Sequence, residues 1–215
     1  MNKRLPINKN LHIHTDSTFR GLRYIDYRGP VAYEYLEIIH NVMTKAIAEH
    51  KRTRAIRFDL RYPQGIVFSK PQSVIEAFIK KLRAYIQADL AERRRRGVRV
   101  HPTSLRYIWC RESTPLSEEH YHVIIFVNND TYYHLGDFNS TERGLVWMIR
   151  KAWLRTLKLP LDANASSVEF PNNFGYSING YDEEFEKVFF RISYFAKIDT
   201  KHYGLGYRSF GSSNI

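Results

Sequence analysis

Two histidines that flank one tyrosine, His120-Tyr121-His122, are the residues whose types and spacing best suit metal chemistry. Side chains two apart in a β-strand project to the same face, so both imidazoles would point together while Tyr121 faces inward. The apolar run VIIFV that follows predicts a buried strand that would hold the pair rigidly. Two convergent imidazoles can bind one divalent cation through their ring nitrogens. The alternative is a pair of solvent-exposed strand histidines.

A carboxylate eight residues before His120, Glu112, would complete such a site. It ends the preceding predicted strand, and a hairpin would carry it back beside the histidines. Two imidazoles and one carboxylate leave coordination positions open for water and a phosphate oxygen, and they favour Mn²⁺ or Mg²⁺. Glu118 and Glu119 compete for this role but lie in a loop that is usually solvated. Asp59 would either assist at the site or be exposed or salt-bridged.

A candidate nucleophile lies near the C-terminus, in the segment SYFAK. We expect Tyr194 and Lys197, at i and i+3, to share one face of a helix. At about 100° per residue, Tyr194 falls nearly opposite the apolar stripe of that helix, with Lys197 and Lys201 beside it. Neighbouring ammonium groups and a metal-polarised phosphate would make this phenol usable as a nucleophile. A surface tyrosine beside two lysines is the alternative.

This order of motifs resembles the HUH endonucleases of the rolling-circle replication class. The segment WCRESTPLSEEHYHVIIF is similar to their metal-binding motif, and SYFAK is similar to their YxxK motif. Together with IRFDLRYP, Ala152-Trp153 and ISYFAKIDTKHYGLGYRSFGSS, these segments resemble inovirus-type replication proteins and their cryptic-prophage (YagK/YfjJ-type) relatives. The resemblance covers roughly residues 54–212. One departure is Tyr121, which stands where that class has an aliphatic residue.

The resemblance implies a nicking and rejoining reaction on single-stranded DNA. A metal held by Glu112, His120 and His122 would polarise the scissile phosphate. Tyr194 would attack the phosphorus, leaving a 5′-phosphotyrosine and a free 3′-hydroxyl that primes replication, and strand transfer would reverse the bond. Lys197 would stabilise developing charge. A transposase or relaxase with the same chemistry is one alternative, and a non-catalytic nucleic-acid-binding module of ferredoxin-like fold is another.

Two further points concern nucleophile number and helicase activity. Tyr203 and Tyr207 are spare phenols, but Gly204 and Gly206 place them beyond the helix, so we expect one nucleophilic tyrosine. The sequence contains no GxxxxGK[ST] pattern, so a helicase of that type would be supplied by the host or by another gene.

The basic composition suits a polyanionic partner. The chain contains 33 Lys and Arg against 22 Asp and Glu, a net charge of +11, and cations that neutralise phosphates release condensed counterions. Arg57 and Arg61 would line the open face of the sheet, where Tyr62 or Tyr107 would stack on bases. The arginine run at 93–96 would also be favourable on helix-dipole grounds alone. The predicted DNA contacts are Arg57, Arg61, Tyr62, Arg93, Arg94, Arg95, Arg96, Lys201 and Arg208.

The elements that must position these residues follow a ferredoxin-like order. Hydrophobic periodicity and end signals predict β-α-β-β-α-β with an antiparallel sheet, preceded by an N-terminal helix and followed by a C-terminal helix that bears Tyr194. We expect helices on one face and an open second face. Residues 1–53 would form a helical extension, either a cap over the sheet or a partner surface, and residues 54–215 the catalytic domain. The predicted segments are a helix after Pro30, a strand at 54–63, a helix at 70–97, strands at 105–112 and 120–128 joined by a loop containing Pro115, a helix at 141–157, a strand at 166–171 and a helix at 182–201.

Composition points to a soluble protein of the cytoplasm. The 215 residues are 43% hydrophobic and 14% aromatic, which is typical of a folded globule. The single cysteine, Cys110, excludes an internal disulfide and fits a reducing compartment. No apolar stretch approaches the roughly 20 residues that span a bilayer, and MNKRLPINKN lacks the apolar region of a signal peptide. We therefore expect no membrane partner.

Overall fold

The central sheet of the computed structural model is antiparallel and follows the predicted order of elements. The structure describes residues 3–63, 71–114, 117–136, 143–161 and 167–214. The predicted boundary residues Lys70, Pro115, 141–142 and 166 lie outside the described ranges. The helices are α1 (Tyr33–Glu49), α2 (Pro71–Arg95), α3 (Asn129–Tyr132), α4 (Leu145–Thr156) and α5 (Glu183–Ile192). The strands are β1 (Lys3–Leu5), β2 (Asn8–Ile13), β3 (Arg52–Arg61), β4 (Arg106–Thr114), β5 (Ser117–Asn128), β6 (Val168–Glu169), β7 (Gly175–Asn179) and β8 (Phe210–Ser212).

Strand β5 lies in the middle of this sheet, between β3 and β4. The order across the sheet is β6-β3-β5-β4-β8, and β7 also pairs with β3. Every one of these pairings is antiparallel. Apart from the four-residue helix α3, the elements from β3 to β6 run β3-α2-β4-β5-α4-β6. This is the βαββαβ order, and the α+β, ferredoxin-like prediction is confirmed. Three short pairings were not predicted: the separate β1-β2 hairpin, β7 and β8.

Helices α2 and α4 cover one face of the sheet. The helical repeat of α2 places Phe78, Leu82 and Ile86 in this layer with no exposed surface. Tyr121 joins the same core, fully buried among Trp109 and Trp153. Its inward orientation was predicted from strand alternation and is confirmed.

The second face of the sheet is covered as well, so the expected open face is wrong over most of its length. Helices α1 and α5 pack on it and bury Ile108, Ile124 and Phe126. The run VIIFV is apolar at every position, and a strand of that kind needs cover on both faces. The apolar stripes of α1 and α5 supply this cover, so α1 caps the sheet, one of the two roles considered for the N-terminal residues.

The last predicted helix is shorter than expected. Helix α5 begins after the Asp182 cap, whose Oδ1 accepts a hydrogen bond from Phe185 N. It ends at Ile192, and a 3-10 turn of Ser193–Ala196 follows. Lys197 is already extended and forms an isolated β-bridge with Val31. Tyr194 and Lys197 therefore do not share an α-helical face. None of the described helices is long and apolar enough to cross a membrane.

Candidate active site

Glu112, His120 and His122 come together on the face of the sheet that α1 and α5 cover. Cross-strand pairing places Glu112 opposite His120 and Cys110 opposite His122. One ligand atom from each of the three lies within 4.8 Å of the others. All three are nearly buried, at 3%, 9% and 7% exposure. Two imidazoles and a carboxylate, gathered in a polar pocket at the end of an apolar face, fit a divalent cation by donor type.

Asp59 holds the ring of His122 from behind. It lies opposite His122 in the β3-β5 pairing, and its Oδ1 is 2.7 Å from His122 Nδ1. An ionised carboxylate only accepts, so Nδ1–H is the donor and Nε2 faces Glu112, 3.5 Å from Oε2. Burial alone would raise the pKa of Asp59, but the hydrogen bond from His122 and the neighbouring charges of His122 and Arg57 together outweigh burial and lower that pKa. A carboxylate behind a ligating imidazole is a recurring second partner in metal sites. The alternation Arg57-Asp59-Arg61 would have placed Asp59 on the histidine face, had the pairing of β3 with β5 been known.

Lys201 belongs to this site and not to a DNA-facing surface. Its ammonium is buried, 3.3 Å from Glu112 Oε1 and 2.6 Å from the Lys197 carbonyl. Burial alone would raise the pKa of Glu112. Hydrogen bonding with His122 and the charges of Lys201 and His122 act together with the smaller contribution of Thr200 to outweigh burial, and they lower the pKa to about 2. Glu112 is therefore ionised at neutral pH.

The phenol of Tyr194 reaches the same carboxylate. Tyr194 Oη donates to Glu112 Oε2 over 3.3 Å, and the tyrosine ring meets His122 edge-on at 5.8 Å. Burial, followed by the charge of Glu112, raises the pKa of Tyr194 to about 12. Lys197 Nζ lies 5.9 Å from the tyrosine ring centre. The nucleophile candidate and the three predicted ligands thus share one pocket, although the 3-10 turn and not a helix presents the tyrosine.

Arg57 is a further cation at this site. Its side chain is 14% exposed, with Nη2 3.9 Å from Asp59 Oδ1 and its guanidinium over the Phe195 ring. Arg57 Nε is buried and has no hydrogen-bond partner among the described residues. Arg61 follows on the same face but is more exposed and pairs with Glu169. Arg57 therefore has an N–H donor beside the site that no described residue uses.

Tyr62 lies on the wrong face of the sheet to accompany Arg57 and Arg61. It packs with the α2/α4 core, and its hydroxyl lies 3.3 Å from that of Tyr121. Tyr107 packs against the same core. The predicted base stacking of these rings beside the histidines is excluded by this placement, because successive strand residues alternate between faces.

The remaining predicted contacts lie away from the pocket. Arg93 donates to the Thr131 carbonyl over 3.1 Å, beyond the far end of β5, and Arg94, Arg95 and Arg96 are exposed beside it. Arg208 is exposed and lines a depression of about 520 Å³ at the β8 edge.

The sequence offered alternatives to Glu112 as a ligand and to Tyr194 as the nucleophile. Glu119 faces Arg111 at 3.5 Å, and the side chain of Glu118 lies outside the described part of the chain. The guanidinium of Arg111 covers the ring of Tyr207 at 3.7 Å. Tyr203 packs near Tyr35. Among the described residues, Tyr194 hydrogen-bonds to Glu112 and neither spare phenol does.

Comparison with known proteins gives one consistent family. The model of the YagK/YfjJ C-terminal domain matches residues 14–213. The uncharacterized protein YfjJ of Escherichia coli (strain K12) is 32% identical over 193 residues, which cover 83% of this chain and 93% of YfjJ. The uncharacterized protein YagK of the same strain is 30% identical over 204 residues, covering 89% of this chain and 98% of YagK. No solved structure matches the chain.

Proposed function

The chain belongs to the YagK/YfjJ C-terminal domain family, and from the site that this member carries we propose that it nicks and rejoins single-stranded DNA to initiate rolling-circle replication. The observation that carries the proposal is the convergence of Tyr194 with Glu112, His120 and His122. The tyrosine hydroxyl lies 3.3 Å from a carboxylate of the candidate metal ligands. A phenol so placed suits attack on a phosphodiester bound at the same ligands.

Glu112, His120 and His122 are the residues that would hold Mn²⁺ or Mg²⁺. When bound there, the cation would polarise a phosphate oxygen and offset the charge of Glu112. Asp59 orients the His122 ring so that Nε2 is directed at the ligand position. The buried ammonium of Lys201 balances Glu112 from the opposite side.

The bond changes balance without a further reactant. The Tyr194 oxygen loses its proton and forms a bond to phosphorus, while the bond from phosphorus to the 3′-oxygen of the preceding nucleotide breaks. The products are a 5′-phosphotyrosine and a 3′-oxygen that takes up a proton. Attack by a 3′-hydroxyl on the phosphotyrosine reverses the exchange and rejoins the strand. Because the pKa of Tyr194 is raised to about 12, the phenol enters the reaction protonated, and Arg57 and Lys197 are the cations placed to stabilise charge on the phosphate.

The role in initiating rolling-circle replication is proposed because the motifs resemble those of replication initiators. A transposase or relaxase would use the same residues, so the reaction alone does not separate these roles. The helicase would come from the host or from another gene, and the working compartment would be the cytoplasm. The net charge of +11 supports a nucleic-acid partner.

The test is formation of a covalent protein–DNA adduct. Labelled single-stranded oligonucleotides carrying origin-like hairpins, incubated with Mn²⁺, should give an adduct that resists denaturing electrophoresis. Tyr194→Phe should abolish it, while Tyr203→Phe and Tyr207→Phe should retain it as matched controls. His120→Ala/His122→Ala should remove both the adduct and Mn²⁺ binding measured by calorimetry. An adduct that survives Tyr194→Phe would refute the mechanism, and binding without an adduct on any such substrate would favour the non-catalytic alternative.

A further inference from the structure

A basic groove lies between α2 and α4, on the face of the sheet opposite the candidate active site. Its volume is about 630 Å³. Its cations come from three segments: the end of α2, the residue preceding the α4 cap, and α4 itself. The residues that matter are Arg93, Arg96, Arg143, Trp147 and Lys151.

The acidic residues of this groove are already engaged. Asp89 accepts from Arg93 Nε at 2.9 Å and from the Tyr132 hydroxyl at 2.9 Å. Glu92 forms an ion pair with Arg95. No carboxylate in the described part of the chain pairs with Arg96 or Lys151. The groove therefore carries a local excess of positive charge.

Helix capping does not account for this charge. Cations in the last turn of α2 are favourable with its dipole, which explains Arg93, Arg94 and Arg95. Lys151, on the α4 side of the groove, has no such reason, since it lies in the middle of its helix. Helix α4 contains no acidic residue, and of its three basic residues Arg155 lies in the last turn, where the dipole favours it, whereas Lys151 lines the groove. An external anion would account for the charge on both sides.

Trp147 suggests which anion the groove accepts. Its indole is half-buried among the basic side chains, with one part open to solvent. Two aromatic rings line the groove, those of Tyr85 and Trp147. Lys151 covers the Tyr85 ring at 5.0 Å, so a ligand in the groove would stack on Trp147. An aromatic platform flanked by cations suits a single strand, whose unpaired bases stack while its phosphates contact arginine and lysine.

The groove is separate from the tyrosine site. It lies at the end of the sheet where Arg93 contacts Thr131, after β5 has ended. Strand β5 rises roughly 3.3 Å per residue, so His122 and Asn128 are about 20 Å apart along it. A nucleotide in the groove cannot also be at Tyr194, because the sheet lies between them.

We propose that this groove is a second binding site, which holds single-stranded DNA with a base on Trp147 and phosphates on Arg96 and Lys151. Binding in this groove goes beyond the proposed nicking reaction, since it requires neither the metal nor Tyr194.

The experiment is binding of a dye-labelled 20-nucleotide oligothymidylate to the full chain in EDTA, followed by fluorescence anisotropy over a range of salt concentrations. Arg96→Glu/Lys151→Glu should weaken binding by tenfold or more (about 1.4 kcal/mol or more). Loss of two phosphate contacts should make the slope of log K against log salt shallower by about 1.4. Lys9→Glu/Lys45→Glu, which makes the same charge change at exposed positions outside the groove, should stay within about twofold of the wild type.

Trp147 variants test the single-strand assignment. Trp147→Ala should weaken binding by about 5- to 150-fold, the range for loss of one stacked base, and Trp147→Phe should retain most of the affinity. If the alanine variant does not fold, tryptophan fluorescence serves instead. The oligonucleotide should quench this fluorescence in the wild type, and the quenching should be smaller in Trp147→Phe. Equal losses in the groove and control double variants would overturn the site. Unchanged affinity in Trp147→Ala, or equal affinity for a duplex of the same length, would overturn the single-strand assignment. Because EDTA prevents nicking, either failure is distinguishable from failure of the tyrosine chemistry.

Discussion

At the scale of single residues, charge in the candidate site is set by two side chains that lie outside the metal-binding and YxxK motifs. Asp59 orients His122, and Lys201 balances Glu112. Each is buried, at 6% exposure. A buried charge is tolerated only with a partner, so Lys201 holds Glu112 in its ionised form and Asp59 fixes the His122 ring in place before any cation binds.

The Asp59 pair gives a prediction about metal affinity. Asp59→Asn keeps the volume but removes the charge that supports His122, so Mn²⁺ affinity should fall about 10- to 100-fold. Isothermal titration calorimetry measures it directly. Glu169→Gln is the matched control, because Glu169 lies opposite Asp59 on β6 but is exposed and paired with Arg61. An Asp59→Asn protein that binds Mn²⁺ as tightly as the wild type would contradict the assigned role of Asp59.

At the scale of elements, the position of Tyr194 depends on how α5 ends. Ser193 is fully buried at this junction. Its hydroxyl donates to the Phe190 carbonyl over 2.6 Å and accepts from Ile25 N over 2.8 Å. A serine that bonds back to its own helix competes with the helical ladder. The change to a 3-10 turn at Ser193 turns the following phenol toward Glu112, and the Ile25 contact ties the N-terminal segment to that turn.

Ser193→Ala should therefore weaken both the fold and the site. The backbone N–H of Ile25 would be left without its partner, which costs about 1–3 kcal/mol in the free energy of unfolding. Urea denaturation followed by circular dichroism measures this loss. Formation of the covalent adduct should fall as well, because Tyr194 follows directly. The control Ser17→Ala, at an exposed position, should have a free energy of unfolding within about 0.5 kcal/mol of the wild type. An equally small change in Ser193→Ala would show that the junction does not depend on the Ser193 hydroxyl.

At the scale of the whole molecule, burial on both sheet faces encloses several of the 15 tyrosines. Burial raises the pKa of Tyr35, on α1, to about 12. Burial likewise raises the pKa of Tyr62, beneath the other helical layer, to about 12. Both folded-state values lie above the ordinary value near 10. Between pH 10 and 12 the unfolded chain loses these protons while the folded chain keeps them, so this contribution to stability is complete below pH 10 and is lost as the pH rises through 12.

The free energy of unfolding should accordingly drop between pH 10 and pH 12. Tyr35→Phe/Tyr62→Phe should reduce that drop by about 1 kcal/mol per residue, after allowance for solvent screening of half-buried groups. Denaturant titrations at pH 8, 10 and 11.5 provide the comparison. Tyr27→Phe/Tyr133→Phe, at two exposed rings, should leave the pH dependence as in the wild type. An equal drop in both double variants would show that other groups govern the alkaline transition.

Local patterns in the sequence were enough to place the ligand cluster. Alternation along one strand aligned His120 with His122 and turned Tyr121 into the core. The hairpin spacing brought Glu112 opposite His120. The βαββαβ order followed from periodicity, because periods of 2 and 3.6 residues are local properties of the chain. These inferences needed only neighbours in sequence or across one turn.

Only the tertiary structure decided which distant residues complete the pocket. Asp59 meets His122 through the β3-β5 pairing, 63 positions apart, and Lys201 meets Glu112 across 89. Strand pairing over such separations is set by the summed packing of both sheet faces and not by either residue's neighbours. The same packing brought α1 and α5 onto the face expected to be open, and it ended α5 at Ile192. The sequence by itself therefore determined the types of the chemical groups, and the packing of two helical layers on one sheet decided which of them meet.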